Sequence, residues 1–226
     1  MIVHHKLNNV RDHFPVKSGV VYVVDDDEAI RDSLALLLNA NGFRVSCHES
    51  AERFLHALSS SEQQSISCIL LDIHLGGMSG IELQDTLLAM NLSIPVAFIT
   101  GYGEITSAVN AFKKGAVDFI QKPIKEDLLC TLVSTMLSQA HLDQDQQIEL
   151  GKINEKFKLL TSREVQVLGR IVAGRINKQI GTDLDISVKT VEAHRANIMK
   201  KLEANRPANL LQIALKYQEA KAQGLI

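Results

Sequence analysis

Long apolar runs and cysteines are scarce in this sequence of 226 residues, and each shortage excludes a class of protein. No apolar run approaches the ~18 residues that a membrane-spanning helix requires, so we expect no insertion into a membrane. The opening residues are too polar for a secretory signal, and we assign no function to the N-terminal extension 1–18. Only three cysteines occur, Cys47, Cys68 and Cys130, all in apolar contexts. They favour buried thiols in a reducing cytoplasm over a disulfide framework, so we expect a cytoplasmic protein.

Charge divides the chain into two halves, although the net charge is only −2. Residues 20–135 contain 15 acidic and 7 basic side chains, whereas residues 156–216 contain 5 acidic and 12 basic ones. This asymmetry predicts two domains, the second with a polyanionic partner. A solvated basic surface is the simpler alternative, because charge alone favours nucleic acid only slightly.

The first half alternates buried-type strands with amphipathic helical segments. Apolar runs predict strands at 20–24, 44–47, 68–72, 94–99 and 116–120. Helical spacing predicts helices at 27–38, 51–58, 80–90 and 105–114 and one from 126 onward, with a polar loop at 59–67. Because the βα unit repeats five times, we predict an α/β fold with a doubly wound, five-stranded parallel sheet.

Four of the predicted strands end in polar groups that suit phosphoryl chemistry. They are Asp25 and Asp26 after the first strand, Asp72 after the third, Thr100 after the fourth and Lys122 after the fifth. The carboxyl ends of parallel strands share one edge of a sheet, so these side chains can converge. Three carboxylates suit Mg²⁺, and the hydroxyl and the amine would receive phosphoryl oxygens. Asp72 would then be the nucleophile that forms an aspartyl phosphate, although alone it could simply cap a helix.

Two enzyme interpretations are weaker than this one. The segment Thr100–Thr106 approximates the dinucleotide fingerprint G-x-G-x-x-G, but Thr106 replaces the third glycine and the motif follows the fourth strand. A phosphatase with an aspartyl-phosphate intermediate would carry a second aspartate two residues after Asp72, where this chain has His74.

The second half has the spacing of short helices after a hydrophilic stretch. Helical apolar spacing over 128–137 fades into polar residues, which predicts a helical extension and then a hydrophilic linker to about Lys156. Thr161 and Glu164 have the spacing of a capping box. We predict helices at 161–173, 177–184, 188–202 and 207–216. Two short helices followed by a longer one form a helix-turn-helix arrangement.

The third of these helices has one face suited to DNA. Turned at 100° per residue, it places Val188, Val191, Ile198 and Leu202 toward the core, with Arg195 near the core edge. The candidate DNA contacts on or near the other face are Lys178, Lys189, Thr190, Glu192, Ala193, His194, Ala196, Asn197, Lys200 and Lys201. The lysines would contact phosphates, and the small side chains would allow approach to base edges. A solvated face is the alternative, and the lack of aromatic stacking residues disfavours RNA.

These motifs make residues 20–140 resemble the receiver domain of two-component response regulators. The resemblance implies that Asp25, Asp26 and the backbone carbonyl of His74 hold Mg²⁺ and that a sensor histidine kinase phosphorylates Asp72. It also implies phosphate contacts from Thr100 and Lys122, a switch role for Phe119 coupled to Thr100, and a cis bond before Pro123. Many members have Pro where this chain has Gly76, which would loosen the loop after Asp72. We hypothesise that the bulky His74 and Tyr102 shield the acyl phosphate from water.

Residues 159–216 resemble the LuxR-type helix-turn-helix domain. The matching elements are Leu160–Glu164, Gly174, Asn177–Ile180, Ile186-Ser187, Thr190-Val191, His194 and Lys201-Leu202. Together the two halves resemble the NarL/FixJ class of response regulators, which implies a flavodoxin-like receiver followed by a small all-α domain. The implied bounds are a receiver at 19–137, a helical or flexible linker at 138–155 and a DNA-binding domain at 156–220.

The class implies that phosphorylation drives a homodimer that binds promoter DNA and acts with RNA polymerase, most simply in activation. It implies no enzyme activity beyond weak self-phosphorylation and autodephosphorylation. A constitutive DNA-binding architectural protein is the main alternative, and the complete set of acids, Thr100 and Lys122 argues against it.

Overall fold

A computed structural model describes residues 19–60, 67–101 and 115–226 of the chain. The chain divides into two compact units between Asp143 and Gln144. This division does not test the finer domain bounds, which stay predictions. Among the described residues no helix combines the length and the apolarity needed to cross a bilayer.

Five parallel strands form the centre of the first unit, as the sequence predicts. They are β1 (Val20–Val24), β2 (Arg44–His48), β3 (Ser67–Asp72), β4 (Val96–Thr100) and β5 (Asp118–Gln121). Their order in the sheet is β2-β1-β3-β4-β5, and each neighbouring pair is parallel. All residues of β3 and β4 are buried, because central strands covered on both faces are nearly continuous apolar runs. The edge strands β2 and β5 carry polar residues and are only partly buried.

The strands β4 and β5 each begin two residues later than predicted, whereas the other strand boundaries agree to within one residue. β4 begins at Val96 rather than Ile94, since Pro95 has no N–H for the ladder, although its carbonyl accepts a bond from Ile69 N at 2.9 Å. β5 begins at Asp118 rather than Ala116 and extends to Gln121.

Helices cover both faces of the sheet in the first unit. They are α1 (Glu28–Ala40), α2 (Ala51–Ser60), α3 (Gly80–Ala89) and the first part of α4 (Glu126–Lys158). One apolar cluster joins the sheet to α1 and α4, and a second joins it to α2 and α3. Ser59 and Ser60, predicted to lie in a loop, belong to α2. The predicted helix at 105–114 lies outside the described residues.

The polar stretch before Lys156 is helical, which is one of the two forms, helical or flexible, that we expect of the linker at 138–155. α4 continues without a break to Lys158. Its glutamine, glutamate and lysine residues are good helix formers even though they give little apolar periodicity. In the second unit its last turns pack on the C-terminal segment, where Phe157 stacks on Tyr217 with ring centroids 3.7 Å apart and Lys216 pairs with Glu149.

Four further helices complete the second unit. They are α5 (Ser162–Val172), α6 (Asn177–Leu184), α7 (Val188–Lys201) and α8 (Pro207–Ala222). The predicted capping box is present at α5, since Thr161 accepts from Glu164 N and Glu164 accepts from Thr161 N. α8 runs six residues beyond the predicted Lys216. Val191, Ile198 and Leu202 are buried as predicted, but Val188 is 43% exposed because it opens α7 beside the turn.

Candidate functional site

Three carboxylates meet at the carboxyl edge of the sheet. Asp25 follows β1 directly, Asp26 comes next, and Asp72 is the last residue of β3. One oxygen from each lies within 4.8 Å of the other two. Asp25 and Asp72 are buried and Asp26 is exposed. Because β1 and β3 are neighbours in register, the sheet itself brings these acids together.

Lys122 reaches the same point from beyond β5. Its Nζ lies 2.8 Å from Oδ2 of Asp72 and 3.0 Å from Oδ2 of Asp25. Its backbone N–H donates to the carbonyl of Thr100 at 2.9 Å, which ties the ends of β4 and β5 together. The peptide bond between Lys122 and Pro123 is cis, as predicted. The structure therefore gathers three acids and one cation, a set with excess negative charge.

Burial and contacts within the cluster shift the pKa values of Asp25 and Lys122. It raises the pKa of the Asp25 carboxyl, and the charge of Asp72 adds to the rise, while a bond from Asp27 N and the contact with Lys122 oppose it. Burial alone would lower the pKa of Lys122, but its hydrogen bonds to Asp72 and Asp25 and their charges outweigh burial and raise it. A buried carboxylate whose ionised form is unfavourable is a group that a cation would stabilise. Together with the oxygens of Asp26 and Asp72, this carboxylate gives three oxygen donors, which fit a hard divalent ion such as Mg²⁺.

The remaining predicted receiver residues lie after β3, at the end of β4 and within β5. His74 has an exposed side chain, and its backbone N–H donates to Oδ1 of Asp72 at 3.1 Å. Thr100 is buried at the end of β4, and its hydroxyl donates to the carbonyl of Gly101 at 3.2 Å. Phe119 stacks on Phe98 with ring centroids 5.2 Å apart. Since Phe98 pairs with Phe119 and Thr100 pairs with Gln121, the side chains of Phe119 and Thr100 are diagonal neighbours on one face of the sheet.

Tyr102, the second residue of our shielding hypothesis, lies outside the described residues. The hypothesis therefore stays a prediction, as do the individual roles of His74, Thr100 and Phe119.

Helix α7 presents the polar face that the sequence predicts. Its exposed candidates are Lys189, Thr190, Glu192, Ala193, Ala196, Asn197 and Lys200, and Lys178 is exposed on α6. His194 and Arg195 are half-buried. Ser187 caps α7 by accepting from Thr190 N at 3.1 Å, which fixes where the helix begins. Opposite, Val191, Ile198 and Leu202 join the core formed with α5, α6 and α8.

Comparison with known families also divides the chain into two parts, and the boundary between the two units lies in the gap between them. Residues 21–134 match the response regulator receiver domain, and residues 158–214 match the bacterial regulatory proteins of the luxR family. The chain belongs to the two-component response regulators of the NarL/FixJ class.

Relatives of this response regulator carry both halves. Transcriptional regulatory protein FixJ of Rhizobium meliloti (strain 1021) is 41% identical over 198 residues, which cover 86% of this chain and 94% of that protein. Response regulator protein TmoT of Ectopseudomonas mendocina is 35% identical over 93% of this chain and 94% of its own length. A low-resolution structure of response regulator StyR has a TM-score of 0.77 with 38% identity and covers 88% of this chain and 100% of that one. Their names are those of regulators and not of enzymes.

One candidate DNA contact of the response regulator, Lys201, forms an ion pair within its own domain. Nζ of Lys201, predicted to contact DNA phosphate, lies 2.7 Å from Oε2 of Glu164, whose side chain is only 4% exposed. The same carboxylate accepts from the backbone N–H of Thr161, so the pair joins the start of α5 to the end of α7. Because its charge is offset within the domain, Lys201 serves the packing of these helices, and its contact with DNA phosphate stays a prediction. A helical wheel shows the face of a residue but not its partner on another helix.

A further contact was missed by sequence reasoning altogether. Oε1 of Glu52 in α2 accepts a hydrogen bond from the backbone N–H of Met78 at 3.1 Å. The two residues are 26 positions apart, and no motif links them.

Proposed function

We propose that a sensor histidine kinase phosphorylates Asp72 and that the phosphoryl group controls binding of promoter DNA by the LuxR-type domain. The observation that carries this proposal is the contact of Lys122 with both Asp72 and Asp25 beside Asp26. Phosphoryl transfer needs mainly positioning and neutralisation of charge, and this cluster supplies both. Membership of the family implies a sensor kinase and DNA as partners. The roles of the individual residues are part of our proposal.

In this proposal the side chains divide the work of the transfer. Asp25, Asp26 and Asp72, with the backbone carbonyl of His74, would hold Mg²⁺, which neutralises phosphate charge when bound. A carboxylate oxygen of Asp72 attacks the phosphorus while the bond to the kinase histidine breaks. Lys122 offsets the charge of the new phosphoryl group, and the hydroxyl of Thr100 donates to one of its oxygens. The chain itself is not an enzyme beyond weak self-phosphorylation and autodephosphorylation.

The output step follows from residues near β5. Thr100 moves toward the phosphoryl group, and Phe119, its diagonal neighbour, repacks beside it. This alters the surface next to β5, where Val117 and Leu128 are 41% and 63% exposed. Apolar side chains at that surface favour a symmetric dimer of phosphorylated chains in the cytoplasm. The dimer presents two α7 helices to half-sites about one DNA turn apart and recruits RNA polymerase, most simply for activation.

The test compares DNA affinity with and without the acceptor carboxylate. The full chain and Asp72→Asn are each incubated with Mg²⁺ and a small phosphodonor, then titrated against a DNA fragment selected from a random pool by the treated wild-type protein. We expect the wild type to bind at least about tenfold more tightly, a typical coupling between two sites. Asp32→Asn, an exposed acid on α1, is the matched control and should behave as wild type. Equal affinity and equal oligomeric state for wild type and Asp72→Asn would reject the switch.

A further inference from the structure

The loop between Asp72 and Gly80 is anchored at both ends. Near Asp72, the N–H of His74 donates to Oδ1 of that aspartate at 3.1 Å. At the other end, Gly80 N donates to the carbonyl of Ile73 at 3.0 Å, and Ser79 forms a capping box with Glu82. A Cβ at Gly80 would lie 2.1 Å from the carbonyl oxygen of Asp72. The end of the loop therefore packs directly against the backbone of Asp72.

The middle of the loop has little stiffness of its own. Gly76 and Gly77 are adjacent, and Gly77 has a φ of +115°, which residues with a side chain rarely adopt. Two glycines in sequence lose more conformational entropy on ordering than other residues. This segment also borders the acidic cluster, because a Cβ at Gly76 would lie 4.0 Å from Oδ2 of Asp26. Something outside the loop must hold it for the cluster to keep its shape.

Glu52 supplies such a hold. Its Oε1 accepts from Met78 N at 3.1 Å and lies 3.1 Å from the point that a Cβ on Gly77 would occupy. Its neighbours in α2, Ala51 and Phe54, are fully buried against the sheet, so Glu52 projects from a fixed base. The side chain of an exposed glutamate ordinarily bonds only to water, and here its carboxylate oxygen accepts a hydrogen bond from a loop amide.

We propose that Glu52 is a positioning residue that holds the loop after Asp72 in the geometry needed for cation binding at the acidic cluster. It acts through Met78 and the glycine pair and touches neither the cation nor the phosphoryl group. This inference rests on the proposed function, because it takes Asp25, Asp26 and Asp72 to be a cation site. It gives a residue on α2 an indirect role in cation binding at the ends of β1 and β3.

Two substitutions distinguish the effect of the hydrogen bond of Glu52 from the effect of its charge. Glu52→Ala removes the acceptor, and Glu52→Gln keeps an oxygen acceptor without the charge. Glu49→Ala is the matched control, because Glu49 is an exposed acid three residues away that pairs with Arg53. All variants are full-length, and their thermal unfolding is compared with that of the wild type to identify any general loss of stability.

Two readouts test the proposal. Hydrogen exchange at the Met78 amide should become faster in Glu52→Ala and stay near the wild-type rate in Glu52→Gln and Glu49→Ala. The Kd for Mg²⁺, titrated in the absence of any phosphodonor, should rise about three- to tenfold in Glu52→Ala, the range that one hydrogen bond supports. It should change less than about twofold in Glu52→Gln and Glu49→Ala, as expected for a substitution that keeps the bond or never had it.

The results that would contradict the proposal show whether the positioning role alone fails or the proposed function fails with it. A Mg²⁺ affinity in Glu52→Ala equal to that of the wild type overturns the positioning role while the proposed function stands. Equal losses in Glu52→Ala and Glu52→Gln also overturn it, because the charge rather than the loop contact would then be responsible. If the wild-type protein binds no Mg²⁺, the proposed function and this inference fail together.

Discussion

Each unit of the response regulator buries a carboxylate beside a lysine, but the two pairs behave in opposite ways. In the receiver unit Asp25 shares Lys122 with Asp72 and lies near Asp26, so acids outnumber the cation. In the DNA-binding unit Glu164 has Lys201 to itself and also accepts from Thr161 N. Burial raises the pKa of Asp25. For Glu164 burial acts in the same direction, but the bonds from Lys201 and Thr161 outweigh it and lower the pKa.

This difference distinguishes a ligand-binding site, at Asp25, from an ion pair that stabilises the fold, at Glu164. A carboxylate whose charge is fully compensated contributes to folding, whereas one left with excess charge is held ready for a ligand at some expense of stability. The comparison therefore predicts that removing Asp25 harms ligand binding and not the fold, and that removing Lys201 harms the fold.

The largest expected effect is on cation binding at the receiver cluster. Asp25→Asn should lower the affinity for Mg²⁺ about a hundredfold, because it removes one of three anionic donors and with it one negative charge of the cluster. Titration of the full chain with Mg²⁺ measures this, with Asp32→Asn as the control on α1. A change of less than about threefold would mean that the buried carboxylate is not a ligand.

Loss of Lys201 should destabilise the DNA-binding unit. Lys201→Met leaves Glu164 buried without its cation and should reduce the free energy of unfolding by about 2 kcal/mol, discounted because Lys201 is 32% exposed. Lys200→Met, at the exposed neighbour, should change it by less than about 0.5 kcal/mol and instead weaken DNA binding. Hydrogen exchange across α5 and α7 reports the stability of this unit. Equal effects of the two substitutions on stability would remove the distinction between them.

The pH dependence of the same pair should be smaller and has a definite sign. The pKa of Glu164 lies below its ordinary value of 4.5 in the folded protein, so its contribution is complete above pH 4.5 and declines as the pH falls through the folded pKa. The stability advantage of wild type over Glu164→Gln should therefore be constant at neutral pH and narrow below about pH 4.5. Unfolding by denaturant at several pH values measures it. An advantage that grows on acidification would contradict the assignment.

The smallest effect should be a gain in stability in the receiver unit. The pKa of Asp25 is raised above its ordinary value of 3.8, so ionisation of this buried group opposes folding as the pH rises above that value. Without Mg²⁺ at pH 7, Asp25→Asn should be about 0.5–1 kcal/mol more stable than wild type. Denaturant unfolding in the presence of a chelator tests this. A clear loss of stability would show that Asp25, like Glu164, serves the fold.

The sequence allowed the centre of the receiver to be predicted because its signals are local. Apolar runs that end in acids define β1 and β3, and a shared sheet edge brings Asp25 and Asp72 together. The boundaries of β5 were less accurate, because an edge strand with Asp118 and Gln121 lacks a continuous apolar run. The long α4 was only partly predicted, since its polar turns are stabilised by contacts with α8 that periodicity does not reveal.

Contacts between distant elements were beyond prediction from one sequence. The partner of Lys201 is 37 positions away on another helix, and that of Glu52 is 26 positions away in a loop. Each side chain is an ordinary charged residue on an amphipathic helix, so composition and spacing assign both to solvent or ligand. Only the folded geometry distinguishes Lys200, which remains exposed, from Lys201, which is engaged.

The most direct measurement locates the phosphoryl group. The full chain is incubated with a small phosphodonor in the presence and absence of Mg²⁺, and its peptides are mapped by mass spectrometry. If the uncompensated acids form the acceptor site, one phosphoryl group appears on the peptide containing Asp72, requires Mg²⁺ and is absent from Asp72→Asn. Incorporation at another residue, or the same incorporation in Asp72→Asn, would contradict the account.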